Sequence, residues 1–217
     1  MKMIVMFSLK DRLKHIGHLD LMRAMQRALR RSGLPVRYSQ GFNPRILLSF
    51  AAPLAVGMEG RREVMEVPLE APVAGGVFME KLNAQLPEGI RCLACRQVDD
   101  SHPAPMAALF AAEYDIHPLQ HEEALYSALP GFLNEPNIMV TYKTKRRERE
   151  INLQPLIFNL HVKDGALRAV LSLNEHGSCK PELLMTALAD YAGVPAPRCR
   201  VIRNRLLNNL FVPLENA

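Results

Sequence analysis

The sequence lacks a long apolar segment. None of its 217 residues lies in a run that approaches the roughly 18 apolar residues needed to span a membrane. The opening residues, MKMIVMFSLKDRLKH, acquire charge too early for the apolar stretch of a signal peptide. We therefore expect a cytoplasmic protein without a membrane partner. Because 48% of the residues are hydrophobic, the chain can bury a core as one large domain or two small ones.

Cysteine is also scarce, and four cysteines in a chain of this length do not make a disulfide framework. Cys92 and Cys95 have the spacing of half a zinc or redox motif, which Cys179 and Cys199 could complete. The first pair falls on a predicted strand rather than in a knuckle turn, which favours ordinary thiols. Phosphate-cradling glycine loops and G-x-S-x-G turns are absent as well. The sequence therefore predicts neither a metal site nor a small-molecule cofactor.

Acidic residues are few in the first third of the chain. Residues 1–62 hold 12 Lys+Arg and 3 Asp+Glu, residues 63–142 hold 3 and 12, and residues 143–217 hold 12 and 7. A surface of one sign repels itself, so this segregation favours a polyanionic partner. The alternative is that folding places the acidic middle beside the basic ends and neutralises them.

The predicted elements follow the order β-α-β-β-α-β with one additional strand between the two helices, and this order recurs. In the first half we predict helices at 18–32 and 75–86 and strands at 3–9, 36–39, 46–51, 63–69 and 90–98. In the second half we predict helices at 122–133 and 181–191 and strands at 111–117, 138–143, 156–163, 166–173 and 199–206. This order predicts an α+β fold of two tandem ferredoxin-like halves with antiparallel sheets, at residues 1–100 and 107–217. Residues 99–106 are the predicted linker.

Four arginines share one side of the predicted helix at residues 18–32. At 100° per residue they span about 100° of its circumference, opposite an apolar side. They are Arg23, Arg27, Arg30 and Arg31. The planar guanidinium suits bidentate contact with phosphate, and no acidic residue lies between Leu21 and Ala52. A solvated helix face that pairs with the acidic middle segment is the alternative.

The turn that follows this helix is predicted to contact nucleotides. The residues concerned are Tyr38, Ser39, Gln40, Gly41, Phe42, Asn43 and Arg45. Gly41 lets a backbone approach a phosphate, and the polar side chains can bond to bases or sugars. Tyr38 and Phe42 can stack on unpaired bases. The alternative for Phe42 is a place in the core.

Titratable residues at the helix start form a candidate catalytic pair. His18 is a possible acid or base, and Asp20 complements the helix dipole. His15 with His18 and Asp20 offers three metal-binding groups, but their spacing matches no specific site. A second cationic run, KTKRRERE at residues 143–150, either extends an RNA-binding track or forms a solvated loop.

Several motifs resemble the radical-SAM-linked protein family. They are HLDLMRAMQRALRRSGLP, YSQGFNPR, LSFAAPLAVGMEG and EVMEV, in order over about fifty residues, with NLQP and KPELL in the second half. The chain departs from the family at Arg45-Ile46, where a histidine and a second proline are expected. Family members are fused to, or encoded beside, radical-SAM enzymes and often lie near ribonuclease and ribosomal-protein genes. Since the chain lacks a C-x3-C-x2-C motif, the resemblance implies that a separate polypeptide carries the iron–sulfur cluster.

The stripe, the turn and the resemblance together predict an RNA-binding accessory protein. It would present structured RNA to a radical-SAM enzyme in RNA modification, or in ribosome or tRNA maturation. One alternative is a metal-independent RNA-processing endonuclease, with His18 as acid or base and the arginines stabilising the phosphate. Another is a protein-docking module that binds no RNA.

Overall fold

A computed structural model describes residues 1–143 and 148–216 of the chain. Its fold is mixed α+β, with antiparallel strand pairing and helices packed on the strands. The chain divides into two compact units, Met1–Leu109 with Arg203–Ala217, and Phe110–Ile202. The division into independent domains at residues 1–100 and 107–217 stays a prediction. Within the described ranges, no helix is both long and apolar enough to cross a membrane.

In the first unit, an antiparallel sheet is combined with three helices. The strands are β1 (Lys2–Leu9), β2 (Ser49–Phe50), β3 (Glu59–Pro68) and β4 (Ile90–Val98). The helices are α1 (His18–Ser32), α2 (Gly75–Asn83) and the short α3 (Pro105–Ala108). Strand β1 lies between β3 and β4, and β2 pairs with β3. The central position of β1 explains why six of its eight residues are buried.

Helix α1 begins and ends where the sequence predicts. Gly33 follows it in the left-handed conformation, at φ 65°, which a glycine adopts without the steric cost of a Cβ. Its buried side holds Leu21, Met25, Ala28 and Leu29. Helix α2 ends three residues before its predicted end, at Asn83. The side-chain amide of Asn83 is hydrogen-bonded to the backbone of Cys92 on β4. It therefore connects the last residue of the helix to the sheet.

The two strands predicted at residues 36–39 and 46–51 are mostly absent. In their place are isolated bridges that join Val36 to Leu69 and Tyr38 to Ile46, followed by the two-residue β2. Pro35 and Pro44 donate no backbone hydrogen bond, which limits ladder pairing on both sides of the turn. The segment is therefore a loop held by isolated bridges rather than a regular hairpin.

The second unit is built on strand β9. Its strands are β5 (Ala111–Pro118), β6 (Met139–Lys143), β7 (Glu148–Asn152), β8 (Ile157–Lys163), β9 (Ala166–Asn174) and β10 (Gly177–Ser178). Its helices are α4 (Glu122–Leu133) and α5 (Pro181–Ala192). Strand β9 pairs antiparallel with β5, β8 and β10. Strand β11 (Cys199–Leu207) begins in this unit and ends in the first.

Most elements of the second unit agree with their predicted bounds, including α4 and the hairpin turn at Asp164-Gly165. Both turn residues have positive φ, 52° and 70°, as a tight hairpin turn requires. Strand β6, however, pairs with the unpredicted β7 in a separate two-stranded sheet. Strand β7 is not predicted from the sequence because its glutamates break the apolar pattern that indicates a strand. Of the cationic run at residues 143–150, residues 144–147 lie outside the described residues.

Candidate nucleic-acid interface

All four arginines of the predicted stripe are exposed in the structure. The apolar residues of α1 face the core, so the arginines occupy its opposite side. This arrangement follows from the helical period of the sequence alone.

The four arginines differ in their partners. Arg23 pairs with Asp20 three residues earlier, at 3.1 Å, and both side chains are mostly exposed. Arg31 donates to the backbone oxygen of Gln85 at 2.7 Å and to its side-chain oxygen at 3.2 Å. Within the part of the chain that the structure describes, Arg27 and Arg30 have no hydrogen-bond or ion-pair partner. Two guanidinium groups thus remain free for an anion.

Acidic side chains of residues 63–142 pair with cations other than the stripe. Glu63 binds Arg203 at 2.6 Å, and Glu66 accepts from Lys2 at 2.8 Å. Asp100 contacts the amino terminus at 2.7 Å and Arg37 at 2.8 Å, and these two cations lower the pKa of Asp100 to about 2. Among the described residues, the acidic middle segment therefore does not neutralise Arg27 and Arg30.

The predicted nucleotide-binding turn is a loop closed by a hydrogen-bonded stem. Tyr38 bridges Ile46. Next to this bridge, the backbone nitrogen of Ser39 donates to the oxygen of Arg45 at 2.8 Å, and the nitrogen of Arg45 donates to Ser39 Oγ at 3.0 Å. Residues 40–44 project beyond the stem, and all five are exposed. This tip contains Gln40, Gly41, Phe42 and Asn43 of the predicted site.

Helix α1 and the loop are joined by Gln26. Its Nε2 donates to the backbone oxygen of Ile46 at 2.9 Å. Gln26 lies three residues after Arg23 and four before Arg30, so it occupies the edge of the arginine stripe. The stripe and the loop stem are therefore neighbours in one surface. Gln26 was not predicted as a site residue, because an amide on a helix face does not indicate which distant carbonyl it will meet.

Phe42 is fully exposed, with 107% relative exposure, and the alternative that it fills the core is wrong. Tyr38, on the stem, is exposed to 38%. Both rings therefore present area to solvent beside the cationic helix.

The candidate catalytic pair at the start of α1 has a different setting. The His18 ring packs edge-on against Phe50, with centroids 5.4 Å apart, and is half-buried. Its Nδ1 is buried and has no hydrogen-bond partner among the described residues. Asp20 points to Arg23 instead. In the described ranges, no three or more His, Cys, Asp or Glu side chains are grouped so that they could hold a metal ion. This applies to His15, His18 and Asp20 as well.

Cys92 and Cys95 share one face of β4. The register with β1 shifts at this point, so that Cys92 lies opposite Phe7 and Cys95 opposite Val5. The two thiols interact through a hydrogen bond and form no disulfide. This contact, with burial added, raises the pKa of Cys92, and it lowers the pKa of Cys95. All four cysteines are free thiols.

Comparison with known proteins identifies the family of the chain. No curated protein matches the chain at a significant level. A family model covers most of it, including α1, the loop stem and the tip. The chain belongs to the family described as "Uncharacterized protein conserved in bacteria (DUF2344)", whose model matches residues 2–181.

Proposed function

We propose that the chain is an RNA-binding accessory protein of a radical-SAM enzyme. The observation that supports it best is the exposed pair Arg27 and Arg30, which have no hydrogen-bond or ion-pair partner among the described residues. Their helix is hydrogen-bonded to an exposed polar and aromatic loop. RNA is the polyanion that uses both halves of this surface. Its phosphates match the guanidinium groups, and its bases and sugars match the loop.

The spacing of the two arginines suits a phosphate backbone. Residues three apart on a helix have Cβ atoms about 5–6 Å apart, so Arg27 and Arg30 can reach neighbouring phosphates of one strand. Arg23 and Arg31 flank them, each already engaged in an exposed contact. Such contacts are weak in water, and a phosphate can replace them at low cost.

The enzymatic partner is the second part of the proposal. It rests on the resemblance of the chain's motifs to those of the radical-SAM-linked family. With it we propose a cytoplasmic location and a role in RNA modification or in ribosome or tRNA maturation. The chain's cysteines do not form the three-cysteine motif of a radical-SAM cluster, so the proposal assigns the catalysis to a separate radical-SAM enzyme.

The architecture proposed for this function is a pair of ferredoxin-like units. In the first unit, the antiparallel order β4-β1-β3-β2 with two main helices supports this topology. In the second unit, the pairing of β9 with both β8 and β5 supports it, with β6 and β7 as an added hairpin. A sheet with helices on one face would leave α1 exposed along its outer side.

The test is RNA affinity as a function of salt. Arg27→Glu combined with Arg30→Glu should weaken RNA binding at least about tenfold and lower the log–log salt slope by about 1.4, since each single-strand phosphate contributes about 0.7. Arg91→Glu combined with Lys163→Glu is the matched control, because both residues are exposed and the charge change is equal. Equal affinity and slope in the wild type and the stripe variant would refute the proposal.

The same RNA distinguishes the alternative functions. Incubated with the protein in EDTA, it should stay intact. Cleavage products that disappear in His18→Ala would instead establish a metal-independent endonuclease. Co-purification of a radical-SAM enzyme that survives nuclease treatment, without RNA binding by the isolated chain, would establish a docking module.

A further inference from the structure

Phe42 is unusual in how completely its side chain is exposed to solvent. Large apolar side chains are normally at least partly covered, because their exposure to water is unfavourable. Phe42 is the most exposed large hydrophobic side chain in the part of the chain that the structure describes. Its ring has no ring partner there, whereas Phe7 and Phe50, for example, contact each other at 5.6 Å. The tip of the loop thus offers an aromatic ring with both faces free.

The stem of the loop restrains the backbone next to this ring. The two hydrogen bonds between Ser39 and Arg45 and the bridge between Tyr38 and Ile46 close the stem. Gly41, immediately before Phe42, has φ 114°, a conformation that residues with a Cβ rarely adopt. The geometry therefore restrains the backbone that carries the ring before any ligand binds, which reduces the entropy lost on binding.

The surroundings of Phe42 are cationic. The chain has no acidic residue between Leu21 and Ala52, and Arg45 on the stem is exposed. Gln26 holds Ile46, four residues after Phe42, against the arginine side of α1. At about 3.3 Å per extended residue, the tip can extend only about 10 Å from the stem. The ring and the arginines therefore lie within the span of a few nucleotides.

We propose that Phe42 stacks on an unpaired base of an RNA strand whose phosphates lie along Arg27 and Arg30, so that the site selects single-stranded over duplex RNA. This proposal rests on the function proposed above and defines the class of RNA that the site binds. A duplex stacks its bases on one another and hides their faces, and its deep major groove is too narrow for side chains to read. A single strand offers free base faces of every sequence, since each base has a π-face.

An apolar pocket of a partner protein is the rival occupant of this ring. The charge favours RNA, because a protein pocket for Phe42 would have to lie close to the exposed guanidinium groups of Arg27 and Arg30. The glycine and the polar residues at the tip, Gln40 and Asn43, also suit close approach to a ribose-phosphate backbone more than the apolar rim of a protein interface.

The experiment compares one oligonucleotide as a single strand and as a blunt duplex. Phe42→Leu keeps an apolar side chain but removes the ring, and it should weaken single-strand binding on the order of tenfold to a hundredfold. Duplex affinity should change less than about twofold, and the salt slope of either complex should not change, since no phosphate contact is lost. Phe42→Tyr should restore single-strand affinity. The full chain is used throughout, and Phe42→Leu should fold normally because its side chain is exposed.

A fluorescent variant measures stacking directly. The chain has no tryptophan, so Phe42→Trp introduces a single indole. Single-stranded RNA should quench its fluorescence, and the duplex should leave it unchanged. Equal affinity of Phe42→Leu and wild type for the single strand would overturn the stacking proposal. Quenching by a protein partner but not by RNA would overturn it in favour of a protein pocket.

These outcomes separate the two proposals. If Arg27→Glu with Arg30→Glu weakens binding of both RNAs while Phe42→Leu changes neither, RNA binding stands and stacking fails. If neither variant changes binding of either RNA, both proposals fail.

Discussion

Two sets of arginines in the first unit have opposite environments. Arg203, on β11, is 3% exposed and donates to both oxygens of Glu63, at 2.9 and 2.6 Å, and to the backbone oxygens of Ala52 and Pro53. Arg27 and Arg30, on α1, are exposed and bind nothing in the described part of the chain. An arginine side chain thus stabilises the fold at one position and is exposed to solvent at the others.

The difference shows what each position is used for. A buried guanidinium must replace its water with hydrogen bonds, and Arg203 does so with a carboxylate and two carbonyls. Arg27 and Arg30 are exposed to solvent and make no hydrogen bond or ion pair with the described residues. Their removal should therefore affect binding alone, and removal of Arg203 should affect stability alone.

The largest expected effect is at the buried pair. Arg203→Met leaves Glu63 buried without its cation and should lower the free energy of unfolding by about 3–5 kcal/mol. Urea denaturation followed by circular dichroism measures this loss. The double variant Arg203→Met with Glu63→Met removes both charges and should be more stable than the single variant. A double variant less stable than either single one would show that the carboxylate is satisfied without Arg203.

The opposite result is expected for the stripe. Arg27→Ala with Arg30→Ala should change the free energy of unfolding by less than about 0.5 kcal/mol, because neither side chain is buried or paired with a described residue. The salt slope of single-stranded RNA binding should fall by about 1.4. Urea denaturation and fluorescence anisotropy on the same samples test both statements. A loss of stability comparable to that of Arg203→Met would remove the contrast between the two sets.

The loop stem should show an intermediate effect. Ser39→Ala removes the acceptor of the Arg45 backbone N–H and should lower single-strand affinity several-fold by loosening the tip. Its cost in stability should be at most about 1 kcal/mol, since the bond is exposed. Ser101→Ala is the control, at an exposed serine outside the loop. If Ser39→Ala left affinity unchanged, the order of the tip would not matter for binding.

The smallest effect is expected at Asp20. Its pair with Arg23 is exposed and contributes about 0.5 kcal/mol or less. Asp20→Asn should release Arg23 and raise RNA affinity about twofold, with little change in stability. The readout is affinity at low salt, where exposed charges are least screened. Weaker RNA binding by Asp20→Asn would mean that the carboxylate itself contacts the RNA.

Much of the surface was predictable because it depends on local chemistry. The bounds of α1 follow from its period and from Gly33, and the exposure of its arginines follows from the apolar residues opposite. Three features were not predictable. Gln26 joins α1 to Ile46, and Arg203 binds Glu63. Residues 36–39 form isolated bridges instead of a strand. Each depends on partners 8 to 140 residues away, whose meeting no local pattern indicates.

The sequence by itself determined that the first third is basic and that four arginines share a helix face, because charge and helical period are local properties. The tertiary structure alone decided which of these arginines stay unpaired and where the acidic residues are used. It also decided that Phe42 stands in solvent rather than in the core. Those outcomes depend on which distant side chains come within hydrogen-bonding distance once the chain has folded.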